Sequence, residues 1–243
     1  MKRFGLIGKT LGHSWSKSFW TQRFQELELK DHFYEHYELN SIEELRELLK
    51  AKDILGLNVT VPYKESVISF LDELDESAEA IGAVNFIDLR DGKRKGYNFD
   101  WIGFQQSIRP FFEPIHERCL ILGTGGSAKA VAFAMKSLGA QVMHVSRDPK
   151  PDQLGYDQLN EHVFRAFKMI VNCTPVGMHP NTEAMPPLSL EHLTPEHFVV
   201  DLIYNPKKTL LLSKSKEKGA MILNGEDMLR LQALAAMDLL GIG

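Results

Sequence analysis

Arg118-Cys-Leu-Ile-Leu-Gly-Thr-Gly-Gly-Ser-Ala-Lys-Ala130 is the stretch whose reading decides the fold. Arg118 to Leu122 reads as a short buried strand closed by glycine. Gly123, Gly125 and Ala128 fit the spacing G-x-G-x-x-G/A, and Ala130 to Leu138 is a helix-forming run. Each small residue has a physical task. Gly123 allows a tight turn, Gly125 lets backbone approach a pyrophosphate, and Ala128 keeps helix and strand close. The helix N-terminus offers N–H groups and partial positive charge to phosphate. A glycine triplet alone says little, but strand before and helix after favour a dinucleotide-binding turn over an ordinary strand-to-helix turn.

Downstream, Gln141 to Ser146 is the second strand of the nucleotide unit and ends in Ser146-Arg147-Asp148. An acidic residue about 20 positions past the glycines would hold the ribose hydroxyls of NAD, whereas arginine suits a 2′-phosphate. NADP is therefore preferred over NAD, with Asp148 pulling the other way. Met169 to Cys173 and Phe198 to Ile203 are strands ending in Thr174-Pro175 and Tyr204-Asn-Pro206 turns. Thr209 to Lys218 reads as a helix, Met221 to Asn224 as a last strand, and Met228 to Leu240 as a terminal helix. Gln232 shares a face with Met228, Ala235 and Ala236, and is either satisfied in the core or aimed at a ligand.

Upstream, Phe4 to Ile7 is a first strand, followed by the loop Gly12-His-Ser-Trp-Ser-Lys-Ser18 and an amphipathic stretch from Phe19 to Leu29. One of Ser14 and Ser16 is expected to cap that helix, with ligand binding by this loop an equal reading. His32 to Leu39 is a second strand, and Ser41-Ile-Glu-Glu44 a capping box opening a helix to about Lys50. Leu55 to Val61 is a third strand, running into Thr60-Val-Pro-Tyr-Lys64. Pro62 stops the ladder, which leaves Lys64 at a strand's carboxyl end, where open α/β sheets bind ligands. Glu65 to Ala80 reads as one acidic helix with a solvated face. Gly82 to Asn85 leads into a hairpin with its turn at Asp91-Gly92. Asn85, Asn98 and Asp100 flank it, each singly a normal turn residue. Trp101 to Ile108 is a linking helix.

With 243 residues, 44% hydrophobic and 25% charged, the chain reads as soluble and globular. A net charge of -4 gives no basic footprint for nucleic acid, and no apolar run has the length of a membrane span. Cys119 and Cys173 sit in expected strands and read as reduced core residues, which points to the cytoplasm. No metal is expected. His32 and His36 are four strand residues apart, about 13 Å, too far to share one ion. The fold class is α/β with two domains: residues 1–100 plus 222–243 as an α/β substrate domain with a mostly parallel sheet, and 101–221 as a dinucleotide-binding domain, with a cleft between.

Further motifs punctuate this pattern: Ser14-x-Ser16, Asn58-Val-Thr-Val-Pro-Tyr-Lys64, Gly82-Ala-Val-Asn85, Asn98-Phe-Asp100, Gly123-Thr-Gly-Gly-Ser127, Asn172-Cys-Thr-Pro-Val-Gly-Met178, Asp201-Leu-Ile-Tyr204 and Gly225-x-x-Met228-x-x-x-Gln232. In this order, nearly end to end, the chain resembles the shikimate dehydrogenases, Rossmann-type enzymes that reduce 3-dehydroshikimate with NADPH. The resemblance implies that Lys64 and Asp100 are the catalytic pair. It implies that Ser14, Ser16, Thr60, Lys64, Asn85, Asp100, Tyr204 and Gln232 hold the substrate. It assigns Gly123, Thr124, Gly125, Gly126, Ser127, Ser146, Arg147, Leu202 and Gly225 to the cofactor, with Glu76 a weaker candidate. Small-molecule substrates, no nucleic-acid or membrane partner, and a monomer or homodimer follow. An NAD-dependent quinate/shikimate dehydrogenase is the alternative reading. A non-catalytic cyclitol-acid sensor on the same scaffold is a further one, disfavoured by the presence of both Lys64 and Asp100. The chain departs from the family pattern at Lys17, Trp20 and Thr21, at Ser146-Arg147-Asp148, and in a short connection from Arg147 to Asn172, where a strand or helix of the nucleotide domain is expected to be missing.

Overall fold

The alternating burial of three short strands organises the second half of the chain. A computed structural model describes residues 1–12 and 14–242. In β7 (Arg118–Leu122), β10 (Met169–Asn172) and β11 (Phe198–Asp201), which follow the elements of the first half given below, successive side chains enter two different cores. Cys119, Ile121, Met169, Val171, Phe198 and Val200 pack in one. Leu120, Leu122, Ile170 and Val199 pack in the other. A strand whose two faces are both apolar must be covered on both sides. Helix α4 (Asp100–Ile108), α5 (Gly126–Ser137) and Met228 of α8 (Glu226–Leu240) cover the first face. Phe164 of α6 (Glu161–Ala166) and Leu211 and Leu212 of α7 (Leu210–Glu217) cover the second.

With β8 (Gln141–Ser146), β9 (Leu154–Gly155) and β12 (Met221–Leu223), these strands form a six-stranded sheet in the order β12-β11-β10-β7-β8-β9. Every pairing in it is parallel. Counted within this unit the order is 3-2-1-4-5-6, that of a doubly wound dinucleotide fold, and it reverses between β7 and β10. The connection from Arg147 to Asn172 departs from expectation. It keeps both a strand and a helix in shortened form, β9 with two residues and α6 with six.

The first half builds a second six-stranded sheet, β2-β1-β3-β5-β6-β4. Its strands are β1 (Lys2–Gly8), β2 (His32–Glu38), β3 (Ile54–Val59), β4 (Glu73–Leu74), β5 (Phe86–Asp88) and β6 (Lys95–Tyr97). Pairing is parallel across β2-β1-β3 and between β4 and β6, and antiparallel across β3-β5-β6. The first helices are α1 (Ser16–Glu26), α2 (Leu45–Leu48) and α3 (Glu76–Ile81). Ile7, Leu57, Val59, Ile87 and Leu45 share one core. The chain divides into a unit of residues 1–99 with 233–243 and a unit of 100–232, so α8 begins in one and ends in the other.

Three local expectations need correction. Glu65 to Ala80 is not one helix but a 3-10 turn (Ser66–Phe70), then β4, then α3. The β5–β6 hairpin overrides helical propensity there. Arg94 donates to Asp72 through Nε at 2.9 Å and through Nη2, and Lys93 pairs with Glu73, which draws this stretch out to the sheet edge. Asp75 then caps α3, accepting from the Ser77 and Ala78 N–H groups. Helix α1 starts at Ser16, with Trp15 at the capping position. Ser14 Oγ accepts from Ser16 N–H at 3.3 Å, so the serine bonds one turn position away from a true cap. Finally, α5 begins at Gly126, four residues before the apolar run that announced it.

Candidate active site

In the first unit, the candidate residues collect on loops at the carboxyl ends of β1 and β3. Both strands run the same way, so their following loops leave from the same sheet edge. The loop after β1 is held by the Leu11 N–H donating to Glu38 Oε1 at 2.7 Å, and Ser14 N–H donates to Leu11 O at 2.9 Å. The loop after β3 is anchored by Thr60 N–H to Ile7 O at 2.9 Å and by Lys9 N–H to Val61 O at 3.4 Å. Tyr63 is buried, and its hydroxyl donates to Leu39 O at 2.6 Å. That contact holds the loop one residue before Lys64, which is half-buried.

A third loop joins these two. Val59 N–H donates to Asn85 O and Val84 N–H to Lys64 O, at 2.8 and 2.7 Å. Thr60, Lys64 and Asn85, distant in sequence, are thus stitched together through backbone. Asn85 is 3% exposed, and its Oδ1 accepts from Phe99 N–H at 2.7 Å. Asn98 Nδ2 donates to Ala83 O at 2.8 Å. The next residue after Phe99 is Asp100, buried at the start of α4. Ser16 is buried and Ser14 half-buried. Sequence reasoning missed Tyr34 and Asn58, which are buried beneath this edge and joined by a 2.8 Å hydrogen bond from the phenol to Oδ1. Asn58 opens one of the quoted motifs, but its partner on another strand leaves no local signal.

In the second unit, the glycine turn leaves β7 beside the point where the sheet order reverses. Gly123 has φ +110°, a left-handed conformation that favours glycine. Gly125 sits at the N-cap of α5 with no side chain capping the helix, and a Cβ built there meets nothing within 4 Å. Thr124 and Gly125 are exposed, Gly126 and Ser127 half-buried. Open space above an uncapped helix N-terminus fits a pyrophosphate, so the residues present suit a dinucleotide. His144 was also missed: its Nδ1 lies 2.9 Å from Gly123 O and braces the turn from β8. At the end of β8, Ser146 Oγ bonds the backbone N and O of Asp148 at 3.2 and 3.3 Å, and Arg147 is exposed.

Leu202 and Tyr204 follow β11, and Gly225 precedes α8. Gly225 N–H donates to Ile203 O at 3.2 Å, and a Cβ at Gly225 would collide with the Leu202 backbone. Leu202 and Gly225 are therefore in close backbone contact. Gln232 is 6% exposed, and its Nε2 donates to Leu229 O at 2.9 Å. Helices α4 and α8 approach closely at Gly103, where a Cβ would stand 2.5 Å from Met228 O and 2.9 Å from Gln232 N. Asp100 precedes Gly103 by one turn of α4. Glu76 is exposed in the first turn of α3, in the first unit. Among the described residues there is no His/Cys/Asp/Glu group able to hold a metal, and no helix is long and apolar enough to cross a membrane.

The chain is similar in sequence and fold to known proteins. A family model described as the shikimate dehydrogenase substrate binding domain matches residues 6–87. A shikimate dehydrogenase (NADP(+)) of Clostridium botulinum is 37% identical over 97% of this chain and 95% of its own length. A crystal structure of shikimate dehydrogenase from Aquifex aeolicus superposes with a TM-score of 0.88 at 35% identity, covering 98% of this chain and 92% of that one. One of shikimate 5-dehydrogenase from Thermus thermophilus, in complex with NADP(H) and shikimate, gives 0.87 at 31% identity, covering 99% and 94%.

Proposed function

The chain belongs to the shikimate dehydrogenase family, and from that premise we propose that it reduces 3-dehydroshikimate reversibly to shikimate with NADPH, using Lys64 and Asp100 as the catalytic pair. The observation that carries the reading is the backbone stitching of Lys64, Thr60 and Asn85 at one sheet edge of the first unit; the second unit separately carries a glycine turn of dinucleotide form. The proposal makes residues 1–100 with 222–243 the substrate-binding domain and 101–221 the NADP-binding domain.

NADPH, when bound, supplies the hydride. Gly123 to Ser127, Ser146, Arg147, Leu202 and Gly225 are the residues assigned to hold it. Reduction of a ketone builds negative charge on its oxygen, so a proton donor within hydrogen-bond reach is required. The Lys64 ammonium donates that proton and stabilises the developing alkoxide. Asp100 is the carboxylate assigned to fix the direction of that amine. In the reverse direction neutral Lys64 takes the hydroxyl proton. Ser14, Ser16, Thr60, Asn85, Tyr204 and Gln232 orient the ring through its hydroxyls and carboxylate. The reading carries a small-molecule substrate, a cytoplasmic location and a monomer or homodimer.

The test is steady-state oxidation of shikimate beside quinate, with NADP and NAD as paired cofactors. The expected result is the highest kcat/KM for shikimate with NADP. A preference for quinate with NAD would replace the assignment by the quinate/shikimate alternative. Ligand binding without turnover would replace it by a sensor. In Lys64→Ala, kcat should fall by about 10²–10⁴-fold, far more than shikimate affinity falls. Equal turnover would remove Lys64 from the mechanism.

A further inference from the structure

Two motifs of the second unit, Asn172 to Met178 and Asp201 to Tyr204, contain polar residues that the catalytic scheme leaves without a role. Asn172 and Asp201 are the last residues of β10 and β11, face each other in register, and are both 0% exposed. Asn172 Nδ2 donates to Asp201 Oδ1 at 3.0 Å. On one side, Asn172 Oδ1 accepts from the backbone N–H and hydroxyl of Thr174 at 3.0 and 2.7 Å, and Val176 N–H reaches Thr174 Oγ1 at 3.3 Å. On the other side, Asp201 Oδ1 accepts from Ile203 N–H at 3.1 Å, and Oδ2 from the Thr209 hydroxyl at 2.7 Å. Thr209 in turn caps α7, accepting from Leu212 N–H.

One amide–carboxylate pair therefore ties down two loops at once. The loop after β10 lies against the glycine turn: a Cβ on Gly123 would be 3.3 Å from Thr174 Cγ2. The loop after β11 carries Leu202 and Tyr204. In a doubly wound fold each half of the sheet takes one mononucleotide. Ser146 ends β8 and Arg147 follows it, on the half that reads the adenosine ribose. The ends of β10 and β11, across the reversal point, are left for the nicotinamide half.

We infer that Asp201 and Asn172 are positioning residues that hold the two loops receiving the nicotinamide end of the cofactor, acting through Thr174, Ile203 and Thr209 rather than by touching substrate. The inference rests on the proposed dehydrogenase reading. It explains why a carboxylate stands at a fully buried strand end. Asp201 accepts three donors, one from the end of β10 and two from the β11–α7 connection, a number no apolar residue of similar size can match. Reach matters because a misplacement of about 1 Å near the reacting atoms costs about 100-fold in rate.

The experiment compares wild type, Asp201→Ala, Asp201→Asn and Thr174→Val in shikimate turnover with NADP, and titrates each with adenosine 2′,5′-bisphosphate, which carries only the adenosine half. The expected result is a kcat loss of roughly 10–100-fold in Asp201→Ala and a smaller one in Thr174→Val. Asp201→Asn, which keeps the Oδ1 acceptor, should recover most of the rate. The bisphosphate Kd should stay within about twofold throughout, because the adenosine half lies on the other side of the sheet reversal. If Asp201→Ala fails to fold, Thr174→Val carries the test, since its side chain is only half-buried and the change is nearly isosteric. Wild-type kcat in both Asp201→Asn and Thr174→Val, with no loss in Asp201→Ala, would overturn the inference. So would bisphosphate affinity that falls in step with kcat, the mark of a general structural role. A wild-type protein without turnover would overturn the dehydrogenase reading, and the inference with it.

Discussion

Asp201 shows how a single side chain couples chemistry to stability. Burial pushes its carboxyl up to about 6, and the hydrogen bonds from Thr209, Ile203 and Asn172 work against that rise. All three of those partners are neutral groups. Because the folded value lies above the ordinary 3.8, the native state binds more protons than the unfolded chain between about pH 4 and 6. This group's contribution therefore weakens folding as pH rises through that window and is constant above it. The span is on the order of 3 kcal/mol. Urea unfolding of wild type and Asp201→Asn from pH 4 to 7 should show the variant gaining relative stability as pH rises to about 6, then holding steady. A difference independent of pH would remove the buried charge from the account. None of this was readable from the sequence, where Asp201 is one acidic residue after an apolar run. Its partners come from positions 172, 203 and 209, and only the parallel register of β10 and β11 brings Asn172 opposite. The position of Lys64 on the loop after β3, by contrast, was legible from the strand and Pro62. A side chain at a strand end announces itself locally, whereas a buried partnership across strands does not.

At the scale of elements, the glycine turn with β7 and β8 was legible because its signals are short-range: a bounded apolar run, glycine spacing, then alanine-rich helix. Only the helix start was misplaced. Glycine and serine at 126 and 127 are weak helix formers, yet α5 includes them because the turn geometry sets its first residue. The β4 segment was illegible because cations on a hairpin about 20 residues later decide its conformation. These elements make separable predictions. Gly125 has open space above it, so Gly125→Val should cost only the N-cap preference of glycine over valine, about 1 kcal/mol, while raising the KM for NADPH at least tenfold, read by calorimetry and initial rates. Gly103 has none, since a side chain there meets the backbone of α8. Gly103→Ala should destabilise by about 1–3 kcal/mol through overpacking, seen as a lower urea midpoint. If the two substitutions exchanged these outcomes, the roles given to the two glycines would be reversed.

At the scale of the whole molecule, the second unit is inserted within the first, and α8 is the segment that returns. Its far end is held by Arg90. The guanidinium grips Asp88 at 2.9 and 2.7 Å and donates to the Leu240 and Leu239 carbonyls at 3.1 Å each. These are carbonyls that a helix end leaves without partners, and a cation suits that end of the dipole. Arg90→Ala should cost about 1–3 kcal/mol, and amide exchange should accelerate first at the last turns of α8. Uniform exchange along the chain would show that Arg90 does no local fastening. The interrupted connectivity also bears on how the protein is made. A ribosome delivers residues 100–232 before it delivers 233–240, so the inserted unit has its whole sequence available while its host still lacks a piece. Vectorial synthesis thus completes the sequence of the inserted unit first, while the host still waits for its returning segment and the Arg90 fastening that goes with it.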